Sequence, residues 1–135
     1  EYRHSEKYEL RERDYNEATS LAPLIRTINE SRRRHPTVWS LRDIRFHHSD
    51  NDQILVYSRG HASRELLLCA VILDPHSAQD TTVHLDLAGI GLPHALRYHL
   101  HDELTGHTYE WTGHTGYIRL DPTEGQVAHL FHVTT

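Results

Sequence analysis

The chain is short of several things, and each shortage excludes a class of protein. It has one cysteine, Cys69, and no methionine in 135 residues. A single cysteine rules out an intramolecular disulfide and fits a reducing compartment. Its setting, "ELLLCAVILD", is apolar, which suits a buried inert thiol rather than a nucleophile. No apolar run approaches the roughly 20 residues of a membrane helix. The first residues also lack the apolar stretch of a secretory signal, so the expected location is cytoplasmic, with no membrane partner. Basic residues are outnumbered, with 14 Lys and Arg against 19 Asp and Glu and a formal net charge of −5. A dedicated nucleic-acid partner is therefore not expected. That charge counts 14 histidines as neutral, so it turns strongly positive in acid. There is no G-x-S-x-G elbow, P-loop, G-x-G-x-x-G fingerprint or Cys/His nucleophile signature. "GIG" at Gly89–Gly91 is too short to cradle phosphate and sits between strands, where a loop needs glycine.

What is present is enough apolar residue, 37% of the chain, for one domain with its own core. The opening stretch, "EYRHSEKYELRERDY", is polar and does not read as an independent folding unit. "TSLAPLIRTINESRRRHP" then carries helix punctuation at both ends. Thr19 or Ser20 can cap the first amides and Pro23 is tolerated in the first turn. Leu21, Leu24, Ile25 and Ile28 form one apolar stripe. Arg32, Arg33 and Arg34 suit the negative end of the helix, and Pro36 stops it. From about Trp39 the period becomes two. Eight strands are expected, in "SLRDIRFHHS", "QILVYSRG", "ELLLCAVILD", "TTVHLDL", "LRYHLHDEL", "HTYEWTG", "GYIRLDP" and "QVAHLFHV". Turn-forming separators such as "DND", "DPHSAQD" and "DPTEG" are too short for parallel crossovers, so the strands form an antiparallel β-sandwich. "ELLLCAVILD", apolar on both faces, is its central strand.

The candidate chemistry is sparse. His99 and His101 share a strand face with Glu103, and a third group from another strand would complete a zinc set. The plainer reading is a solvated face, since so many histidines make chance pairs common. The adjacent His47 and His48 point to opposite faces. Tyr109 and Trp111 share a face as well, and an ordinary core row is the expectation over a sugar-stacking platform. In the opening segment Lys7 and Tyr8 can donate to a hydroxyl or phosphate oxygen, with Glu6 as acceptor. Taken alone, that segment reads as a surface loop.

The order of "SEKYELR", the helix "LAPLIRTINESRRRHP", "LRDIRFHHSDND", "VILDPH" and "HDELTGHTYEW" resembles the C-terminal end of the bacterial α-1,4-glucan:maltose-1-phosphate maltosyltransferases, of the α-amylase superfamily. The resemblance runs from Glu1 to Val133. It implies that residues 1–36 are a loop and the last helix of a truncated (β/α)₈ barrel. Residues 37–135 would be the β-sandwich domain of amylase C-terminal type that follows it. It further implies that Lys7 and Tyr8 bind the maltosyl unit of maltose 1-phosphate from the active-site side of the barrel. The family reaction is retaining transfer of maltosyl to the non-reducing end of an α-1,4-glucan by three carboxylates. Those carboxylates lie upstream of Glu1, so no catalytic residue, metal ligand or cofactor is expected here, and the chain alone should be inactive. Its partners would be maltose 1-phosphate, α-1,4-glucan and the remaining barrel, in a homodimeric enzyme. The competing readings are a free-standing carbohydrate-binding or interaction module, a related enzyme such as trehalose synthase, or a metal-binding module.

Overall fold

The helix forms where its punctuation places it. The Ala22 amide donates to Ser20 Oγ at 3.1 Å, and α1 runs Ala22–Arg34 with Pro23 in its first turn. His35 takes an extended conformation and ends the helix, and a 3₁₀ turn, Pro36–Val38, follows. The computed structural model describes residues 20–92 and 97–135.

All eight expected strands form: β1 Ile44–Ser49, β2 Ile54–His61, β3 Glu65–Ile72, β4 Gln79–His84, β5 Arg97–Asp102, β6 Thr108–Thr112, β7 Thr115–Leu120 and β8 Ala128–Thr134. Several strand boundaries shift, and one changes the element that follows. "TTVHLDL" leaves the ladder after His84, because the Asp86 carboxylate accepts the Gly89 amide and caps a four-residue helix, α2 Leu87–Ile90. Gly91 closes that helix at φ 79°. The "GIG" stretch is thus the end of a short helix rather than a plain loop. Leu87 and Ile90 point into the core and so keep the apolar pattern that reads as strand.

Every strand pairing is antiparallel. The hydrogen-bonded order is β6-β5-β8-β3-β2-β1-β4-β7. Strand β1 belongs to both layers, since Ile44–His47 pair with β2 while His48 and Ser49 pair with β4. The sheet folds over at that strand, and Leu66, Leu68 and Ala70 of β3 share a core with Val83 of β4 and Ile118 and Leu120 of β7. Strands β6 and β7, at the two ends of the order, are joined through Gly113 at φ 73°.

Strand β3 lies in the middle and has five consecutive buried residues, Leu66–Ala70. Its two apolar faces have different causes. Leu66, Leu68 and Ala70 face the sandwich core, whereas Leu67 and Cys69 line a cleft of about 350 Å³ with Ile28 of α1 and Val38. The helix therefore covers the outer face of the sheet. Each large aliphatic side chain buried in this way stabilises the fold by about 1.5–3 kcal/mol. The remainder of the apolar stripe on α1 stays exposed, with Leu21 67% and Ile25 53% accessible. Among the described residues, no helix is long and apolar enough to cross a membrane.

Candidate functional site

Lys7 and Tyr8, the two residues expected to bind substrate, lie outside the described residues. Within the described residues, the C-terminal end of α1 is fastened to the sheet by buried polar groups. His35 Nδ1 is 2.9 Å from Glu65 Oε1 on β3, and its Nε2 is 3.2 Å from Glu103 Oε1 just past β5. Arg34 pairs with the other Glu103 oxygen. The Thr37 amide donates to Glu65 Oε2 at 2.9 Å, and Trp39 Nε1 donates to the Arg32 carbonyl at 2.7 Å. Burial would push the Glu103 carboxyl up, but Arg34 and His35 outweigh it and hold Glu103 below the usual carboxylate range. The C-terminal end of the helix thus comes to a fixed place on the sheet.

The same corner explains "HDELTG". Asp102 is fully buried at the end of β5, and its carboxylate accepts four bonds. His129 Nδ1 and Thr105 Oγ1 each reach Oδ2 at 2.8 Å, and the Leu104 and Leu130 amides reach Oδ1 at 3.2 and 3.1 Å. Burial alone would raise its pKa, but those bonds prevail and lower it. Asp102 ties the turn after β5 to β8, and its neighbour Glu103 reaches α1. The motif is therefore a structural junction.

The other candidates resolve one by one. His99 and His101 are exposed on β5, with His101 Nδ1 3.1 Å from Thr108 Oγ1. Glu103, just past β5, is held by Arg34 and His35. Ser58 and His47 form a buried pair at 2.9 Å. The Asp86 amide donates to His47 Nδ1, however, so Nε2 carries the proton and donates to Ser58. His47 cannot act as a base toward that hydroxyl. Burial, then Arg45, lowers its pKa, in keeping with a neutral ring. Cys69 is buried beside Tyr57, and burial pushes its thiol up to about 11, so it is the inert thiol expected from its surroundings. Trp111 packs edge-on against Tyr98 and Phe131, and Tyr109 against Phe131 and His129. Trp111 is partly buried against the core, whereas Tyr109 is 40% accessible, so only half of the aromatic row is core.

Two clusters went unnoticed in the sequence because each joins residues from separate elements. His35, Glu65 and His132 meet under the helix end, and His48, Asp50 and His84 meet on the exposed side of β1 and β4. Strand register creates both, and no local spacing announces either.

Comparisons with known proteins agree with this architecture. A family model described as "GLGE, C-terminal" matches residues 46–133. The chain is 44% identical to alpha-1,4-glucan:maltose-1-phosphate maltosyltransferase 2 of Streptomyces coelicolor, covering 98% of this chain and 20% of that protein. It is 40% identical to the maltosyltransferase of Mycolicibacterium smegmatis, at 98% and 20% coverage. The Mycobacterium tuberculosis protein is 41% identical, at 98% and 19%. The chain thus spans about a fifth of the length of these relatives. In fold it is similar to the maltogenic α-amylase AmyB of Thermotoga neapolitana, with a TM-score of 0.66 and 13% identity over 89% of this chain and 27% of that one. An Anoxybacillus α-amylase gives 0.61 and 17% identity over 90% and 24%.

Proposed function

This chain belongs to the GLGE C-terminal family, and from that premise we propose that it serves an enzyme moving maltosyl units from maltose 1-phosphate to the non-reducing end of α-1,4-glucans. The observation that carries the reading is similarity of 40–44% spread over 98% of the chain to maltosyltransferases so named. Coverage of that extent omits only a few residues, so Lys7 and Tyr8 lie inside the matched span. Residues 1–36 are the closing part of a (β/α)₈ barrel, and residues 37–135 are the sandwich that supports it. The exposed apolar stripe of α1 supports this division, since such a stripe needs a covering neighbour. The whole enzyme is a cytoplasmic homodimer that needs no cofactor, nucleic acid or membrane.

In the reaction, a carboxylate upstream of Glu1 attacks the anomeric carbon of the donor and phosphate departs. A glucan hydroxyl then displaces the carboxylate, giving up its proton to a second, acid/base carboxylate, with net retention of configuration. The part played by this chain is donor binding. The Lys7 ammonium is a point charge with three donors for phosphate or sugar oxygens, and the Tyr8 hydroxyl can donate or accept.

The test uses the protein with its upstream region present. Maltose 1-phosphate and a maltooligosaccharide acceptor should give a longer glucan and one phosphate per transfer. Lys7→Ala should raise KM for the donor by about tenfold or more, as expected for losing a hydrogen bond to a charged group. Interconversion of maltose and trehalose by the wild type would move the protein to another subfamily. An unchanged donor KM would remove Lys7 from the pocket. Titrating the 135-residue chain with maltooligosaccharide separates this reading from a free-standing sugar-binding module, for which binding would be tight without the barrel.

A further inference from the structure

His48, Asp50 and His84 take no part in the reading above. His48 on β1 and His84 on β4 are direct partners in the antiparallel register, with ring centroids 5.3 Å apart. Both rings turn Nε2 toward the same oxygen, Asp50 Oδ1, at 3.3 Å from His48 and 2.9 Å from His84. The three ligand atoms lie within 4.8 Å of one another. A tetrahedral ion with nitrogen and oxygen ligands at 2.0–2.1 Å spaces neighbouring ligand atoms about 3.3 Å apart. Two of the three edges of this triangle already have about that length, and a small movement of one ring supplies the third.

The scaffold under the triangle is fixed. The Asp50 amide donates to the Thr82 carbonyl at 3.1 Å. Ser49 Oγ lies 2.9 Å from Thr81 Oγ1, and Asn51 Nδ2 donates to Gln79 Oε1 and the Asp80 carbonyl at 3.0 Å each. The turn bearing Asp50 is thereby pinned to β4 on both sides, which presets the ligand positions before any ion arrives. The geometry points to a divalent transition-metal site at the β1–β4 crossing, built from His48 Nε2, His84 Nε2 and an Asp50 carboxylate oxygen. Two imidazoles and one carboxylate favour Zn²⁺, Ni²⁺ or Cu²⁺ over Mg²⁺ or Ca²⁺. Without the ion, each imidazole can donate Nε2–H to Asp50. With it, each ring keeps its single proton on Nδ1 and presents the Nε2 lone pair. The side chain of His48 is 72% accessible and that of Asp50 52%, which leaves the remaining coordination positions to water or to a donor from another molecule.

The experiment is calorimetric titration of the chelator-treated chain with Zn²⁺, repeated with Ni²⁺ and Mg²⁺. One equivalent of Zn²⁺ or Ni²⁺ should bind and Mg²⁺ should not. His48→Ala and His84→Ala should each weaken binding at least about tenfold, as should Asp50→Asn. His132→Ala, in the other histidine cluster, should leave it unchanged. Line broadening of the His48 and His84 imidazole resonances by substoichiometric Cu²⁺ reads the same site in the unaltered chain, whatever the variants do to folding. Unbroadened His48 and His84 signals would overturn the proposal. So would full affinity in the His48→Ala/His84→Ala double variant, or a loss confined to His132→Ala.

Discussion

Asp102 is a fully buried carboxylate that organises the corner between β5 and β8. Its carboxylate satisfies two backbone amides, a hydroxyl and an imidazole from two separate stretches of chain, Leu104–Thr105 and His129–Leu130. Replacing it with alanine removes the acceptor from the buried His129 imidazole and from two partly buried amides, and a buried donor left unpaired costs about 1–3 kcal/mol. We expect Asp102→Ala to lower stability by about 3 kcal/mol or more, read from the denaturant midpoint at unchanged slope. Asp102→Asn should cost less, because the amide keeps the shape and one acceptor oxygen. Equal losses for the two variants would mean that volume rather than hydrogen bonding holds the corner. None of this was legible beforehand. In "HDELTG" the Asp looks like any turn residue, and its main partner, His129, is 27 positions away.

The elements themselves could be read because their punctuation is local. Helix α1 has Ser20, Pro23 and Pro36, and the strands have period-two runs cut by turn residues. The boundary after β4 moved because Asp86 caps a helix too short to show a period, and Leu85, Leu87 and Ile90 are buried either way. The layer arrangement had no local sign at all. It depends on β1 changing partners midway, and on the chain passing from β6 to β7 across the sandwich. That passage yields a test. Gly116 on β7 lies directly under the ring of Trp111 on β6, and a methyl group there would overlap the indole. Gly116→Ala should therefore destabilise the domain by about 2 kcal/mol, within the usual range for overpacking. Trp111→Leu in the same chain should recover part of the loss, and a double-mutant cycle on thermal unfolding measures the coupling. Additive losses would show that the two elements do not meet there.

On the scale of the whole molecule, the ionisable groups predict how stability follows pH, and two sets act in two separate ranges. His132 on β8 is partly buried beside His35, with ring centroids 4.8 Å apart. Burial first, then His35 and His101, lower its pKa, against opposing pulls from Glu65 and Glu103. A histidine with a depressed folded pKa binds fewer protons in the native state than in the unfolded one. Its contribution is complete above the unfolded value of about 6.5 and is lost as pH falls through that value toward the folded one. Asp102 and Glu103 are also depressed in the folded state. Their contribution is complete above the unfolded carboxylate values of about 4 and is lost as pH falls through the folded ones. Denaturant unfolding measured from pH 8 to pH 3 with chelator present should thus show a shallow decline beginning near pH 6.5 and a steep one below about pH 4. His132→Gln should flatten the upper decline and leave the lower in place, while Asp102→Asn should reduce the lower and spare the upper. A single transition that neither variant alters would place the acid sensitivity elsewhere, in the general repulsion of a chain whose 14 histidines have all become cations.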